Sequence, residues 1–251
     1  MNRKFLVVMV AALALCLGGA VGAIAAGKTL VNGIDANFPP FAFVAKDGKP
    51  SGFDVEAMDW IATKMGFKVT HKPMDWDGII PSLNAKKIDM IASGMTRTKE
   101  RMKAVNFTMP YWTIQQVMVA PKDSKITVEQ ALKSGKSIGV QRGTTEAKWF
   151  TAQKGKNGFN YTIRQYDSAP LSVEDMLAGR VAVCAMDDAP AKDIARKKPI
   201  KLIGTYGMAA EQFAYAVRKA DKKLLETLNK GLKALMASPK WEELKKKYKV
   251  K

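Results

Sequence analysis

Four short stretches of this 251-residue chain carry residue types able to hold a small zwitterion. They are Asp35-Ala36-Asn37-Phe38-Pro39-Pro40-Phe41, Ser93-Gly94-Met95-Thr96 with Arg101 shortly after, Gln141-Arg142-Gly143-Thr144-Thr145, and Asp187-Asp188. A carboxylate is best met by a bidentate guanidinium with hydroxyl and backbone N–H donors, often at a helix N-terminus. Arg101, Thr96 and a helix start at Thr145 answer that need. An ammonium group needs a carboxylate and a carbonyl, which Asp187 and the carbonyl of Gly94 supply. Each signal alone has a plainer reading. An Asp or Thr after a strand is commonly a helix N-cap, and Asp187 and Asp188 compete for one role. Arg101, beside Lys99, Glu100 and Lys103, fits a solvated surface equally well. Their succession at strand ends is what points to a site, because ligands of open α/β sheets bind where strand carboxyl ends and helix N-termini converge.

The elements that must present these loops alternate as short apolar runs and amphipathic segments, the pattern of α/β layers. Strands are expected at 30–34, 67–72 and 89–92, with helices at 54–65 (closed by Gly66), 78–85 and 98–103. A β-rich run at 113–120 leads to a second set, with strands at 137–140, 161–166, 181–185 and 200–203. Its helices fall at 128–133 and 145–153, then before Leu177, and at 189–197. A strand at 213–217 and two C-terminal helices follow, the first with an apolar stripe through Leu224, Leu228, Leu232 and Leu235. No Gly/Ser linker separates the sets, so a stiff hinge is expected. Phe53, Ala57, Trp60 and Ile61 have helical spacing and read as core, with Asp54 and Glu56 complementing the helix dipole. Trp76, between Asp75 and Asp77-Gly78, reads as an exposed loop aromatic and hence functional.

Composition narrows the classes. Residues 1–26 read as a signal peptide: Asn2, Arg3 and Lys4 precede an uncharged stretch that ends in Ala23-Ile24-Ala25. Cleavage is expected over retention as an anchor. Removal of Arg3 and Lys4 lowers the net charge of +18 by two, so the mature chain stays strongly basic. Its lysines are scattered without interleaved aromatics, which argues against nucleic acid as a partner. Cys184 sits in an apolar strand pattern and has no disulfide partner after cleavage. One histidine and no Cys/His cluster argue against a metal site, and no cofactor is expected.

The loops then become recognisable. Gly33-Ile34-Asp35 with Phe38-Pro39-Pro40-Phe41 is the first piece, and Gly52-Phe53-Asp54-Val55-Glu56 resembles a family signature. Met74-Asp75-Trp76-Asp77-Gly78-Ile79-Ile80-Pro81-Ser82-Leu83, Asp89 to Thr96 with Arg101, Val140 to Thr145, and Gly179-Arg180 with Asp187 complete the set. Together they resemble the bacterial extracellular solute-binding proteins of family 3, the polar amino-acid-binding components of ABC importers. That resemblance implies a type II periplasmic-binding-protein fold, α/β, with two Rossmann-like lobes joined by a two-strand hinge. Lobe 1 would comprise 27–113 with 213–251, and lobe 2 114–212. It further implies a periplasmic monomer that binds a free amino acid and docks on a membrane permease. Under it, Arg101, Thr96 and Thr145 hold the carboxylate and Gly94 with Asp187 the ammonium. Phe38 and Trp76 wall the side chain, and Gln141 touches it.

The same resemblance places Asp35 opposite the ligand's side chain. An acidic side chain there would set two carboxylates together, at a cost of several kcal/mol. A hydrogen-bond donor would gain, which favours basic amino acids, with glutamine next. Arg142 argues the other way, toward an acidic ligand. An enzyme of the same fold, such as a cyclohexadienyl or arogenate dehydratase, is the main alternative, with Asp35 as its acid or base. No second poised group accompanies it, since His71 lies away from the motif loops.

Overall fold

The computed structural model describes residues 29–250; the expected signal peptide lies outside them. Two five-stranded sheets divide the chain into two lobes. In the first lobe β1 (Thr29–Ile34) is followed by a small ribbon of β2 (Asn37–Phe38), β3 (Ala42–Val44) and β4 (Pro50–Ser51). Helix α1 (Phe53–Met65), β5 (Lys68–Pro73), a 3-10 turn at Trp76–Gly78, α2 (Ile79–Asn84), β6 (Met90–Ile91), α3 (Arg101–Ala104) and β7 (Val105–Phe107) come next. β5, β1 and β6 run parallel, which puts the loops after β1 and β6 at the same edge.

Two crossing strands, β8 (Trp112–Ile114) and β14 (Glu211–Phe213), pair antiparallel with each other. Between them lie β9 (Gln116–Pro121), α4 (Val128–Lys133), β10 (Lys136–Gln141), α5 (Thr145–Gln153), β11 (Tyr161–Tyr166), α6 (Ala169–Leu177), β12 (Val183–Asp187), α7 (Asp188–Ala195) and β13 (Ile200–Gly204). The sheet order β11-β10-β12-β9-β13 again puts two parallel strands, β10 and β12, side by side. β12 is buried along its whole length, as expected of a strand covered on both faces.

The chain then returns. β15 (Ala216–Arg218) inserts antiparallel between β6 and β7, and α8 (Lys222–Met236) and α9 (Pro239–Tyr248) pack on the first lobe. Leu224, Leu228, Leu232 and Leu235 of α8 are buried in the same core as Phe53, Ala57 and Ile61 of α1, while Trp60 stays half-buried.

One strand expectation needed correction. The run 213–217 is not one strand, because Ala214 N–H turns to the Met95 carbonyl and Tyr215 N–H to Thr108 Oγ1. This bend carries the chain from the crossing into the first sheet. The β-rich run expected at 113–120 is two strands, β8 and β9, parted at Gln115, whose backbone exchanges hydrogen bonds with Asp188.

Candidate functional site

A cavity lies between the lobes at the carboxyl ends of β1, β6, β10 and β12. All nine residues singled out from sequence line it: Asp35, Phe38, Trp76, Gly94, Thr96, Arg101, Gln141, Thr145 and Asp187. Ser93, Thr144 and Glu146 line it as well. Asp188 does not, because its carboxylate serves Gln115 N–H at 3.4 Å and Lys192.

Each wall is set by its local backbone. The β6 loop turns at Gly94, whose φ of +58° lies in the left-handed region. A Cβ there would stand 2.4 Å from Phe38 Cε1, so glycine lets the aromatic ring close down on the loop. Behind the loop, Asp54 is fully buried and accepts hydrogen bonds from Gly94 N–H at 2.6 Å, Tyr111 Oη at 2.7 Å and Tyr215 Oη at 3.4 Å. Burial, only partly offset by these donors, pushes its carboxyl up to about 7. The expectation that Asp54 merely complements the helix dipole is therefore corrected; it anchors the Gly94 loop.

Trp76 also departs from expectation. It is 9 % exposed and packs with Ile79, Leu83 and Met95, and its ring is faced by the guanidinium of Arg101 at 5.3 Å. Its neighbours Asp75 and Asp77 are exposed, and the 3-10 turn rotates the indole inward between them. Arg101 is 7 % exposed, not a surface residue. Its Nη1 donates to the Thr96 carbonyl at 3.0 Å and its Nη2 to the Gly143 carbonyl at 3.1 Å, so it spans both lobes.

Further contacts cross the cleft. Gln141 Nε2 donates to Asp35 Oδ2 at 2.7 Å, and Lys148 pairs with Glu100 at 2.6 Å. Gly143, with φ of +74°, brings its Cα close to Asp77; a Cβ would stand 3.1 Å from that of Asp77. The lobes are closed on each other. Arg142 does not face the cavity; it is half-exposed and paired with Asp167 at 2.9 Å and Asp77 at 3.8 Å.

The electrostatics of the cavity are lopsided. Among the described residues, its lining holds one cation, Arg101, against the carboxyls of Asp35, Glu146 and Asp187. Burial raises Asp35, opposed by the Gln141 and Asn37 hydrogen bonds and reinforced by Asp75. Burial also raises Asp187 well above the carboxylate range, with Glu146 and then Glu211 adding to it. Glu211, just outside the lining, accepts from Thr145 Oγ1 at 2.7 Å and from Gln116 Nε2 at 3.0 Å. Sequence reading missed Glu146 and Glu211. An acid in the first turn of a helix reads as dipole complement, and an acid on a short strand reads as solvated. His71, tied to Asn32 and Asp59, lies in β5 outside the lining. Among the described residues no group of side chains is arranged to hold a metal ion.

The model of the bacterial extracellular solute-binding proteins, family 3, matches residues 30–251. The chain belongs to this family. This solute-binding protein is 31% identical over 232 residues to the L-arginine-binding protein of Pseudomonas aeruginosa, covering 89% of each chain. It is 30% identical over 223 residues to the L-cystine-binding protein TcyJ of Escherichia coli, covering 88% of this chain and 82% of that one. Its fold superposes on an ancestral arginine-binding protein bound to glutamine with a TM-score of 0.80 at 34% identity, covering 88% of this chain and 97% of the other.

Proposed function

We propose that this solute-binding protein captures a free amino acid with a cationic side chain, arginine first, and delivers it to the membrane permease of an ABC importer. The observation that carries the reading is the charge of the cavity lining, one guanidinium against three carboxyls. A bound amino acid uses Arg101 for its carboxylate, supported by Thr96 and Thr145, and uses Asp187 and the Gly94 carbonyl for its ammonium. Asp35 then remains unpaired by any cation and takes the side-chain donor, helped by Gln141. Phe38 and Trp76 flank the chain's methylenes, with one face of Trp76 already occupied by Arg101. The likeness to arginine binders supports this choice, and glutamine is the nearest neutral competitor.

Binding closes lobe 1 (27–113 with 213–251) on lobe 2 (114–212), and ligand contacts from both sides hold the closed form. The working form is an exported monomer, freed from residues 1–26. A thermal-shift panel of the twenty amino acids tests the ligand. A ligand at a hundredfold its Kd adds about 2.7 kcal/mol, several degrees for a chain of this size. Arginine is expected to give the largest shift, and a panel without any shift rejects the reading. Recovery of arginine unchanged after long incubation is expected, and turnover would favour an enzyme instead.

A further inference from the structure

Three carboxyls meet at the proposed ammonium end of the cavity, each from a different element: Asp187 at the end of β12, Glu146 in the first turn of α5, and Glu211 on β14. One hydroxyl, Thr145 Oγ1, stands 2.7 Å from Glu211 Oε2 and 3.3 Å from Glu146 Oε2. One amide, Gln116 Nε2, stands 3.0 Å from Glu211 Oε2 and 3.3 Å from Asp187 Oδ1. Thr145, Gln116 and the Thr96 side chain beside Glu211 are thus divided among three acids. Gln116 is itself fully buried, and its Oε1 has no hydrogen-bond partner among the described residues. Arg101, the cation of the lining, donates through Nη1 and Nη2 to backbone carbonyls and, though it lies within electrostatic reach of Glu146, Glu211 and Asp187, gives none of them an ion pair. Asp188, next in sequence to Asp187, pairs with Lys192 yet still adds to the negative charge facing Asp187, and the buried Tyr206 hydroxyl borders the same group.

We propose that Asp187 exchanges a proton for the ligand: before the ligand enters, its carboxyl is protonated against Glu146 and Glu211, and the ammonium of the incoming amino acid takes the proton's place as the lobes close. This rests on the reading of Asp187 as the ammonium partner. Like charges crowded in a buried space do not all ionise unless a cation joins them. The surroundings of Asp187 favour its protonated form, through burial first and then Glu146 and Glu211. The exchange balances: the amino acid enters with its –NH3+ intact, the Asp187 O–H proton leaves to solvent, and the Asp187 carboxylate accepts from the ammonium. Glu146 and Glu211 act as positioning residues, because they set how firmly Asp187 holds the proton that the ligand must displace.

Calorimetric titration with arginine, in buffers of different ionisation enthalpy, tests the exchange. About one proton is expected to leave per ligand near neutral pH, with Kd tightening up to about tenfold per pH unit as pH rises. Glu146→Gln and Glu211→Gln should each reduce the proton release and flatten the slope. Equal heats in all buffers with a flat Kd would overturn the proposal, as would undiminished release in the double variant. Carboxyl 13C NMR of the ligand-free protein gives an independent readout. One Asp resonance, absent in Asp187→Asn, should titrate well above the ordinary carboxylate range. Its absence overturns the exchange and leaves the amino-acid reading standing. The resonance with no amino acid bound across the panel overturns the ligand reading instead.

Discussion

Asp54 and Asp187 are both buried carboxyls without an ion-pair partner among the described residues, and the two lobes treat them in opposite ways. Asp54, in lobe 1, receives a backbone N–H and two tyrosine hydroxyls, and it does not line the cavity. Asp187, in lobe 2, shares a single amide with Glu211 and faces the cavity beside Glu146. A buried acid with its own donors is an anchor: it fixes the Gly94 loop whatever the cleft contains. An acid surrounded by other acids is an open demand for positive charge. Burial alone therefore does not separate these two carboxyls; the sign of their neighbours does.

The largest expected break in that comparison is Asp187→Asn. It should weaken amino-acid binding by ~2–5 kcal/mol, the range for removing one partner of a buried, hydrogen-bonded charge pair, as read by calorimetry. The melting temperature of the ligand-free variant should hold or rise, since one crowded acid is gone. Asp54→Asn should do the reverse. The buried network around it loses an acceptor, so urea unfolding should show a loss of ~1–3 kcal/mol, with a smaller effect on Kd than Asp187→Asn. Equal effects of the two variants on affinity would erase the distinction.

Stability against pH sharpens it further. The Asp54 carboxyl stands at about 7 in the folded protein, above its unfolded value of about 3.9. The native state then binds more protons than the unfolded one between those values, so stability falls as pH climbs from about 4 to about 7 and levels off above. Asp187, also raised, pulls in the same direction in the free protein. Saturating ligand should remove the Asp187 share of the slope and leave the Asp54 share, and Asp54→Asn should do the opposite. Urea midpoints across that range, with and without ligand, separate the two. The smallest effect is expected at Arg142→Ala. Its pairs with Asp167 and Asp77 are half-exposed, so stability should change by less than ~1 kcal/mol, and the preference among amino acids should not change.

Much of this was legible before any coordinates. Arg101, Thr96, Thr145 and Asp187 are the residue types a zwitterion requires, and their loops follow apolar runs that read as strands, which is why they converge on one cavity. The depth of individual residues was not legible. Trp76 has polar neighbours on both sides, and only the 3-10 turn shows that its ring points inward to Arg101. Asp54 has the local pattern of a first-turn acid, and the two tyrosines that hold it arrive from residues 111 and 215. Gln141 and Asp35, both expected to face a ligand, line the cavity and also bridge the lobes to each other in the closed form.

By itself, the sequence of this protein determined what is periodic or local: the alternation of strands and helices, the stops at glycines such as Gly66, and the donors and acceptors offered at each strand end. Those features depend on neighbours within one turn or one strand, and such neighbours are adjacent in the chain. Only the tertiary structure decided the charge balance of the pocket. Glu146, Asp187 and Glu211 are distant in sequence and become neighbours because β14 crosses back beside β8 while β10 and β12 lie side by side. Charge interaction and burial depend on distance in space, so the sequence could offer Asp187 as a carboxylate for an ammonium, but its crowding by Glu146 and Glu211 appeared only once the fold had brought them beside it.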